Sequence, residues 1–240
     1  NTVEFQNTIN LGARERIIDV ADGTSTTNVD ARLTGQLSGT GGVVKEGAGT
    51  LELTAANTYS GTTRVNEGEL LISATGTPGT GAVTVAAGAS LMGSGVVQGI
   101  SFPLESNATV QAGNGTTAGD LGTLTFQSSG QAVFDVQTDS QVILGITTAN
   151  NQAAIDPFFG GNEIGSAGYN AYVDAFGGVG TGQHDLLKFD GAAGTTLTFS
   201  GNVQVLPDHL TAQAGQVFNL LDWTAMVNTD FSSFAVGTNF

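Results

Sequence analysis

The constraint that most limits what this chain can fold into is a self-similarity too short to be a domain. Gly39, Thr40, Gly41, Val43 and Leu51 recur forty positions later as Gly79, Thr80, Gly81, Val83 and Leu91. Half that interval also works, because Gly61, Val65, Gly68 and Leu71 align with Gly81, Val85, Gly88 and Leu91 at an offset of twenty. A four-residue element, valine then two small or polar residues then glycine, appears at Val20 to Gly23, Val65 to Gly68, Val85 to Gly88 and Val110 to Gly113. A fixed period of this length belongs to solenoids, whose units bury an apolar face only by stacking on their neighbours.

Within each unit the apolar residues alternate with small polar ones, as in Thr50-Leu51-Glu52-Leu53, Ala82-Val83-Thr84-Val85, Thr123-Leu124-Thr125-Phe126 and Thr196-Leu197-Thr198-Phe199. Period two predicts half-buried strands. Clusters of glycine, asparagine, serine and threonine separate them and supply corner chemistry. No window carries a capped apolar stripe at helical spacing, and 36 glycines in 240 residues would break most helices. Short strands with glycine turns fit either an antiparallel sandwich or a parallel β-helix. The repeat favours the β-helix, because equivalent residues of successive coils then stand above one another at ~4.8 Å, whereas a sandwich imposes no coil-length period. At roughly 20 to 25 residues per coil the chain makes ~10 coils and a rod about 50 Å long. Predicted inward-facing positions are Val43, Leu51, Leu53, Val65, Leu70, Ile72, Val83, Val85, Leu91, Val110, Leu124, Phe126, Val133, Leu197, Phe199 and Leu221. Asn57 and Tyr59 are read as a corner, the amide bonding to local backbone and the ring packing on the next coil.

The run Lys45-x-Gly47-x-Gly49-Thr50-Leu51-x-Leu53, followed by Asn57-Thr58-Tyr59-Ser60-Gly61-Thr62-Thr63 and Val65-x-x-Gly68-x-Leu70, resembles the autotransporter-associated β-strand repeat of bacterial passenger domains. Arg16-Ile17-Ile18-x-Val20 and Leu33-x-Gly35-x-Leu37-x-Gly39 are similar to the preceding coil of that family. His184-Asp185-Leu186-Leu187 and Phe218-Asn219-Leu220-Leu221-Asp222-Trp223 are similar to its C-terminal coils. The resemblance implies an all-β, right-handed parallel β-helix exported to the bacterial surface. It implies no single activity, since the same repeat scaffolds adhesins and enzymes. One solenoid domain over 1–240 is expected, with repeat-matching coils at 10–145 and 183–240 and an irregular insertion at 146–182.

Composition narrows the partners. Six basic and 21 acidic residues give a net charge of -15, and Arg14, Arg16, Arg32, Lys45 and Arg64 precede a single Lys188. Such a chain repels nucleic acid, which requires clustered lysine and arginine, and is equally ill suited to anionic membrane surfaces. An acidic, mutually repelling surface fits an extracellular protein. Without cysteine there is no disulfide framework or zinc-thiolate site. No apolar run reaches the ~18 residues of a membrane helix, so no membrane insertion is expected of this segment.

The insertion concentrates Phe158, Phe159, Tyr169, Tyr172 and Phe176 among glycines. These aromatics either cover an apolar coil face or form a contact patch for an extracellular glycan, a host surface or a neighbouring subunit. Residues Asn170 to Phe176 are compatible with a short helix. Both chain ends read as strand, with Val3, Phe5 and Ile9 at one end and Phe231, Phe234 and Val236 at the other. Uncapped coils expose unpaired backbone, so the chain reads either as part of a longer solenoid or as a subunit whose ends pair head to tail with other copies.

Catalytic patterns are sparse. The two histidines, His184 and His209, accompany no nucleophile elbow. The enzymatic alternative is a carbohydrate-active β-helix, either lyase or glycoside hydrolase, for which Asp135 with Asp139 and Asp185 with Asp190 are the acid pairs available. Their spacing does not place both members of either pair squarely on one strand face. No calcium loop or phosphate loop is present, so no metal or cofactor is expected and the glycines are read as corners.

Overall fold

The computed structural model describes residues 2–23, 29–99, 101–114, 121–128, 133–137, 139–146, 186–190, 196–199, 201–207, 221–222, 229–230 and 235–236. Among these every regular element is a strand, and every strand pair is parallel. Strands are numbered along the chain. The longest sheet has nine, in the order β1 (Val3–Phe5), β4 (Ala31–Leu33), β7 (Thr50–Leu53), β9 (Glu69–Ile72), β11 (Ser90–Gly93), β14 (Thr109–Ala112), β17 (Gln141–Ile146), β20 (Asn202–Pro207) and β23 (Ala235–Val236). The second has eight: β3 (Arg16–Asp19), β6 (Val43–Glu46), β8 (Thr63–Val65), β10 (Val83–Val85), β13 (Ser101–Leu104), β16 (Val133–Val136), β19 (Thr196–Phe199) and β22 (Thr229–Asp230). A third wall carries β2 (Ile9–Asn10) with β5 (Leu37–Ser38), and later β12 (Val96–Gln98), β15 (Thr123–Gln127), β18 (Leu186–Asp190) and β21 (Leu221–Asp222). These are the stacked parallel sheets of a β-solenoid-like architecture, and they exclude a sandwich of antiparallel hairpins for the described residues.

Register turns the repeat into columns of side chains. Ala31, Leu51, Leu70, Leu91 and Val110 stand in line across β4, β7, β9, β11 and β14, at spacings of 20, 19, 21 and 19 residues. The column continues through Val142 and Val203 to Val236. Leu70 aligns with Leu91, and Leu71 aligns with Met92, so the uniform twenty-residue offset slips by one within this coil. Leu71 accordingly leaves the lumen and joins Val29 and Met92 in a separate small apolar cluster.

Most predicted lumen residues are buried, and the members of the continuous core include Val43, Leu51, Leu53, Val65, Leu70, Ile72, Val83, Val85, Leu91, Val110, Leu124 and Phe126. Val133 is a correction, since it is 49% exposed. Phe134 and Val136 point inward in its place, because alternation along β16 puts Val133 and Asp135 together on the outer face. The side chains of Leu197, Phe199 and Leu221 lie outside the described residues. Farther along, the lumen is filled by rings. Phe102 stacks on Phe134 with centroids 4.7 Å apart and planes at 6°, Phe126 stacks on Phe189 at 5.6 Å and 13°, and the two stacks meet edge to face. Offset stacks and edge contacts are the favoured aromatic geometries.

One corner explains the twenty-residue glycine spacing. Gly41, Gly61 and Gly81 lie over one another so closely that a Cβ on Gly61 would sit 2.4 Å from the carbonyl carbon of Gly41, and one on Gly81 would sit 2.1 Å from the Gly61 oxygen. Only hydrogen fits there. Gly88 differs, with open space where its Cβ would project but a φ of +81°. Replacement of Gly61 by alanine therefore forces the coils apart, whereas Gly88→Ala meets only the left-handed backbone penalty of about 1–2 kcal/mol. Urea unfolding should place the midpoint of Gly61→Ala well below that of Gly88→Ala, and equal midpoints would refute close stacking at this corner.

Candidate functional site

Among the described residues, Lys45, Thr50, Glu52, Asn57 and Thr63 are enclosed polar residues between Val43 and Val85, and Gln111, Ser128 and Ser140 are enclosed farther along. Asn57 is 3% exposed and spans three coils. Its Oδ1 accepts from the Leu37 N–H at 2.7 Å, and its Nδ2 donates to the Thr77 carbonyl at 2.7 Å. Each partner is twenty residues away, one on either side. The carboxamide thus supplies a rung to the main-chain ladder on this wall, beside the Thr58 N–H to Leu37 O and Thr80 N–H to Tyr59 O bonds. Tyr59 is fully buried, and its ring edge lies against the position a Cβ would take on Gly79 of the next coil. The Thr63 hydroxyl donates to the Pro78 carbonyl at 2.6 Å, so its single proton is used and the Tyr59 hydroxyl donates to Thr63 Oγ1 at 2.6 Å. The corner predicted at these two residues is present, but the amide bonds to the coils on either side and not to local backbone, so the corner joins three coils.

Lys45 is the residue that sequence reasoning missed. Strand β6 places it in line with Ile18 below and Val65 above, in an otherwise apolar column that continues through Val85, Leu104 and Val136. It is fully buried. The ammonium donates to three main-chain carbonyls, Glu46 at 2.9 Å, Gly47 at 2.7 Å and Glu67 at 3.1 Å. Burial lowers its pKa from the usual 10.5, and the charges of Asp19, Glu67, Glu69 and Asp30 oppose that shift. Some of these carboxylates are themselves anchored, with Asp30 Oδ2 accepting from the Thr50 N–H at 2.9 Å and Glu69 Oε2 from Thr50 Oγ1 at 2.8 Å. Alternation carried the signal, since Lys45 shares the strand face of Val43.

On the nine-stranded sheet, Arg32 Nε meets Glu52 Oε2 at 2.5 Å across adjacent coils, and on the eight-stranded sheet Arg64 of β8 approaches Glu15 at 3.6 Å. Of the sequence-derived acid pairs, Asp135, Asp139 and Asp190 are among the described residues. Asp135 lies on β16 in register with Pro103 and Thr198, and Asp139 occupies an exposed left-handed position with φ 65°. Asp190 ends β18 on a different wall, opposite Gln127. Lys188 is in register with Thr125 and Asp222. Asp185, His184 and His209 lie outside the described residues, as do Phe158, Phe159, Tyr169, Tyr172, Phe176, Phe231 and Phe234. Among the described residues no group of three or more acids, histidines or cysteines is arranged to hold a metal, and no helix is long and apolar enough to cross a membrane.

The first coil differs from those above it. Val3 and Phe5 are 57% and 54% exposed although they head the buried columns through Ala31 and Leu33, and Ile9 is 38% exposed although its partner Leu37 is fully buried. Val236 continues the same column on β23.

Residues 43–72, which hold Lys45, Asn57 and Tyr59, match the passenger-associated-transport-repeat family. The chain carries a repeat of the autotransporter passenger kind. It is also 36% identical over 111 residues to the "Adhesin BmaC autotransporter" of Brucella suis biovar 1 (strain 1330), an alignment covering 45% of this chain and 3% of that protein. The chain thus spans a small fraction of that relative's length. Within the matched residues of this chain, Lys45, Asn57 and Tyr59 are enclosed polar residues that join one coil to the next.

Two outcomes check this assignment. Asn57→Ala leaves the Leu37 N–H and the Thr77 carbonyl without their side-chain partner, and should lower unfolding free energy by about 2–4 kcal/mol in urea titrations. Burial raises the Tyr59 pKa above its usual value of 10.0, so the folded phenol stays protonated where the unfolded one ionises. Its contribution is complete below that value and declines as pH rises above it. Tyr59→Phe should flatten the loss of stability between pH 9 and 11, roughly the range where an unfolded tyrosine titrates; an unchanged slope would contradict the enclosure of the hydroxyl.

Proposed function

We propose that the chain is a non-enzymatic structural and adhesive segment of an exported bacterial surface protein. The observation that carries this reading is the unbroken parallel register of the nine-stranded sheet, built on a repeat that residues 43–72 share with autotransporter passengers. The adhesin name of the Brucella relative supports the same direction. In this reading the chain is a right-handed β-helix of about ten coils with an insertion at 146–182. Its enclosed polar groups are spent on the scaffold, which favours a rigid presenting rod over a catalyst.

The aromatic set Phe158, Phe159, Tyr169, Tyr172 and Phe176 is the proposed contact patch for an extracellular glycan or host surface, since flat rings offer contact area at low entropic cost. The exposed Val3, Phe5 and Ile9 head apolar columns on edge strands, which suits them to accept the terminal coil of another copy through Phe231, Phe234 and Val236. Beads coated with the purified chain should adhere to epithelial cells or to arrayed glycans, and alanine at the five aromatic positions should reduce capture. Loss of capture with retained fold supports the reading. Failure to adhere, together with release of new reducing or unsaturated ends from acidic polysaccharides, would overturn it in favour of a carbohydrate-active β-helix. Electron microscopy across a concentration series tests end-to-end pairing separately: filaments with an axial repeat near the rod length are expected, and dispersed particles at all concentrations would remove it.

A further inference from the structure

A stack of coils with interchangeable apolar interiors has an ambiguity that hydrophobic burial does not resolve. In the column of Ile18, Val65, Val85, Leu104 and Val136, moving a coil up by one rung sets one aliphatic side chain where another was. A slip of one residue turns the strand inside out and is excluded by burial, but a skip of a whole coil preserves the pattern. Loop closure adds little against it, because the cost of a longer loop grows only logarithmically.

Lys45 is the member of that column that breaks the degeneracy. We propose that it is a register pin, specifying that the coil beginning at Val43 stacks between the coil of Ile18 and the coil of Val65 and between no others. The geometry has two parts. The ammonium bonds the Gly47 carbonyl of its own corner and the Glu67 carbonyl of the corner above, so it holds two consecutive coils at once. Those corners are in contact, since a Cβ on Gly68 would lie 2.5 Å from the Gly47 oxygen. The second part is charge. Asp19 and Asp30 belong to the preceding coil, while Glu67 and Glu69 belong to the following one. In the next coil up, the corner reads Ala86-Ala87-Gly88-Ala89-Ser90, so a skipped arrangement still offers carbonyls but no carboxylate. A skip above Lys45 leaves Asp19 and Asp30 in place but removes Glu67, Glu69 and the Glu67 carbonyl, and a buried cation that loses part of its charge and hydrogen-bond complement is disfavoured, which is how a single polar residue in an apolar seam selects one alignment.

The chain has no cysteine, so introduced pairs report stacking directly. Val44, Arg64 and Thr84 lie in line on β6, β8 and β10. Val44→Cys with Arg64→Cys reports native stacking. Val44→Cys with Thr84→Cys reports a skipped coil, because those positions are two rungs, ~9.6 Å, apart in the native register and beyond disulfide reach. Each pair is refolded from denaturant under oxidising conditions in three backgrounds: unaltered, Lys45→Met, and Leu70→Ala as a control that weakens the core without touching the pin. The skip pair should cross-link about tenfold more in Lys45→Met than in the unaltered background, the population shift that losing one charge-assisted hydrogen bond produces. Leu70→Ala should leave it unchanged. Equal skip yields in Lys45→Met and Leu70→Ala would overturn the proposal and leave Lys45 as an ordinary stabilising residue. If Lys45→Met does not refold, Glu67→Gln with Glu69→Gln replaces it, since it keeps the lysine, the carbonyls and the core. A rise in skip yield there supports the pin, and no rise overturns it.

Discussion

Main-chain hydrogen bonding between successive coils is the interaction on which everything else in this molecule rests. Strands pair in parallel with the strand one coil before and one coil after, so each residue stands directly above and below its register partners and the inward positions form largely apolar columns. From that single constraint follow the leucine and valine columns, the glycine corner where backbones touch, and the asparagine that stands in for a peptide group. Parallel pairing also explains why polar residues can be enclosed at all. Asn57 and Lys45 do not bond to side-chain partners chosen case by case, but to carbonyls and N–H groups that the stack repeats at fixed intervals.

Much of this was legible in the chain. Alternation located the strands, and the repeat excluded antiparallel hairpins, because only stacked coils turn a twenty-residue period into contact. Asn57 and Tyr59 were readable as a corner from residue type and position. What the period could not give was local phase. Gly68 to Leu70 and Gly88 to Leu91 differ by one residue, so the twenty-residue offset alone sets Leu71 opposite Leu91, whereas the register sets Leu70 there and Leu71 opposite Met92. At β16 the choice between Val133 and Phe134 was decidable in principle, since Asp135 shares the face of Val133 and marks it as outward.

Lys45 was misread for a different reason. A lysine in a chain with few cations entered only the charge count and the repeat motif, and strand parity, which places it on the face of Val43, was the signal that it is enclosed. The long aliphatic stem fits the column as well as a valine or isoleucine does, and the terminal charge finds its acceptors at the corner rather than in solvent. Buried lysine is recognisable in sequence when it keeps step with an apolar alternation and a glycine corner follows within two residues, as Gly47 does here.

Between Val142 and Val203 the ladder advances one rung while the chain advances 61 residues, and on the rungs from Ala31 to Val110 the same step takes 19 to 21. The six register pairs from Gln141 with Asn202 to Ile146 with Pro207 are unaffected by that distance. The scaffold therefore counts rungs and is indifferent to how much polypeptide is spent between them. Such a frame can lengthen a corner into a new binding element without renegotiating its interior, which lets the outside of the rod diversify under selection while its inside stays fixed.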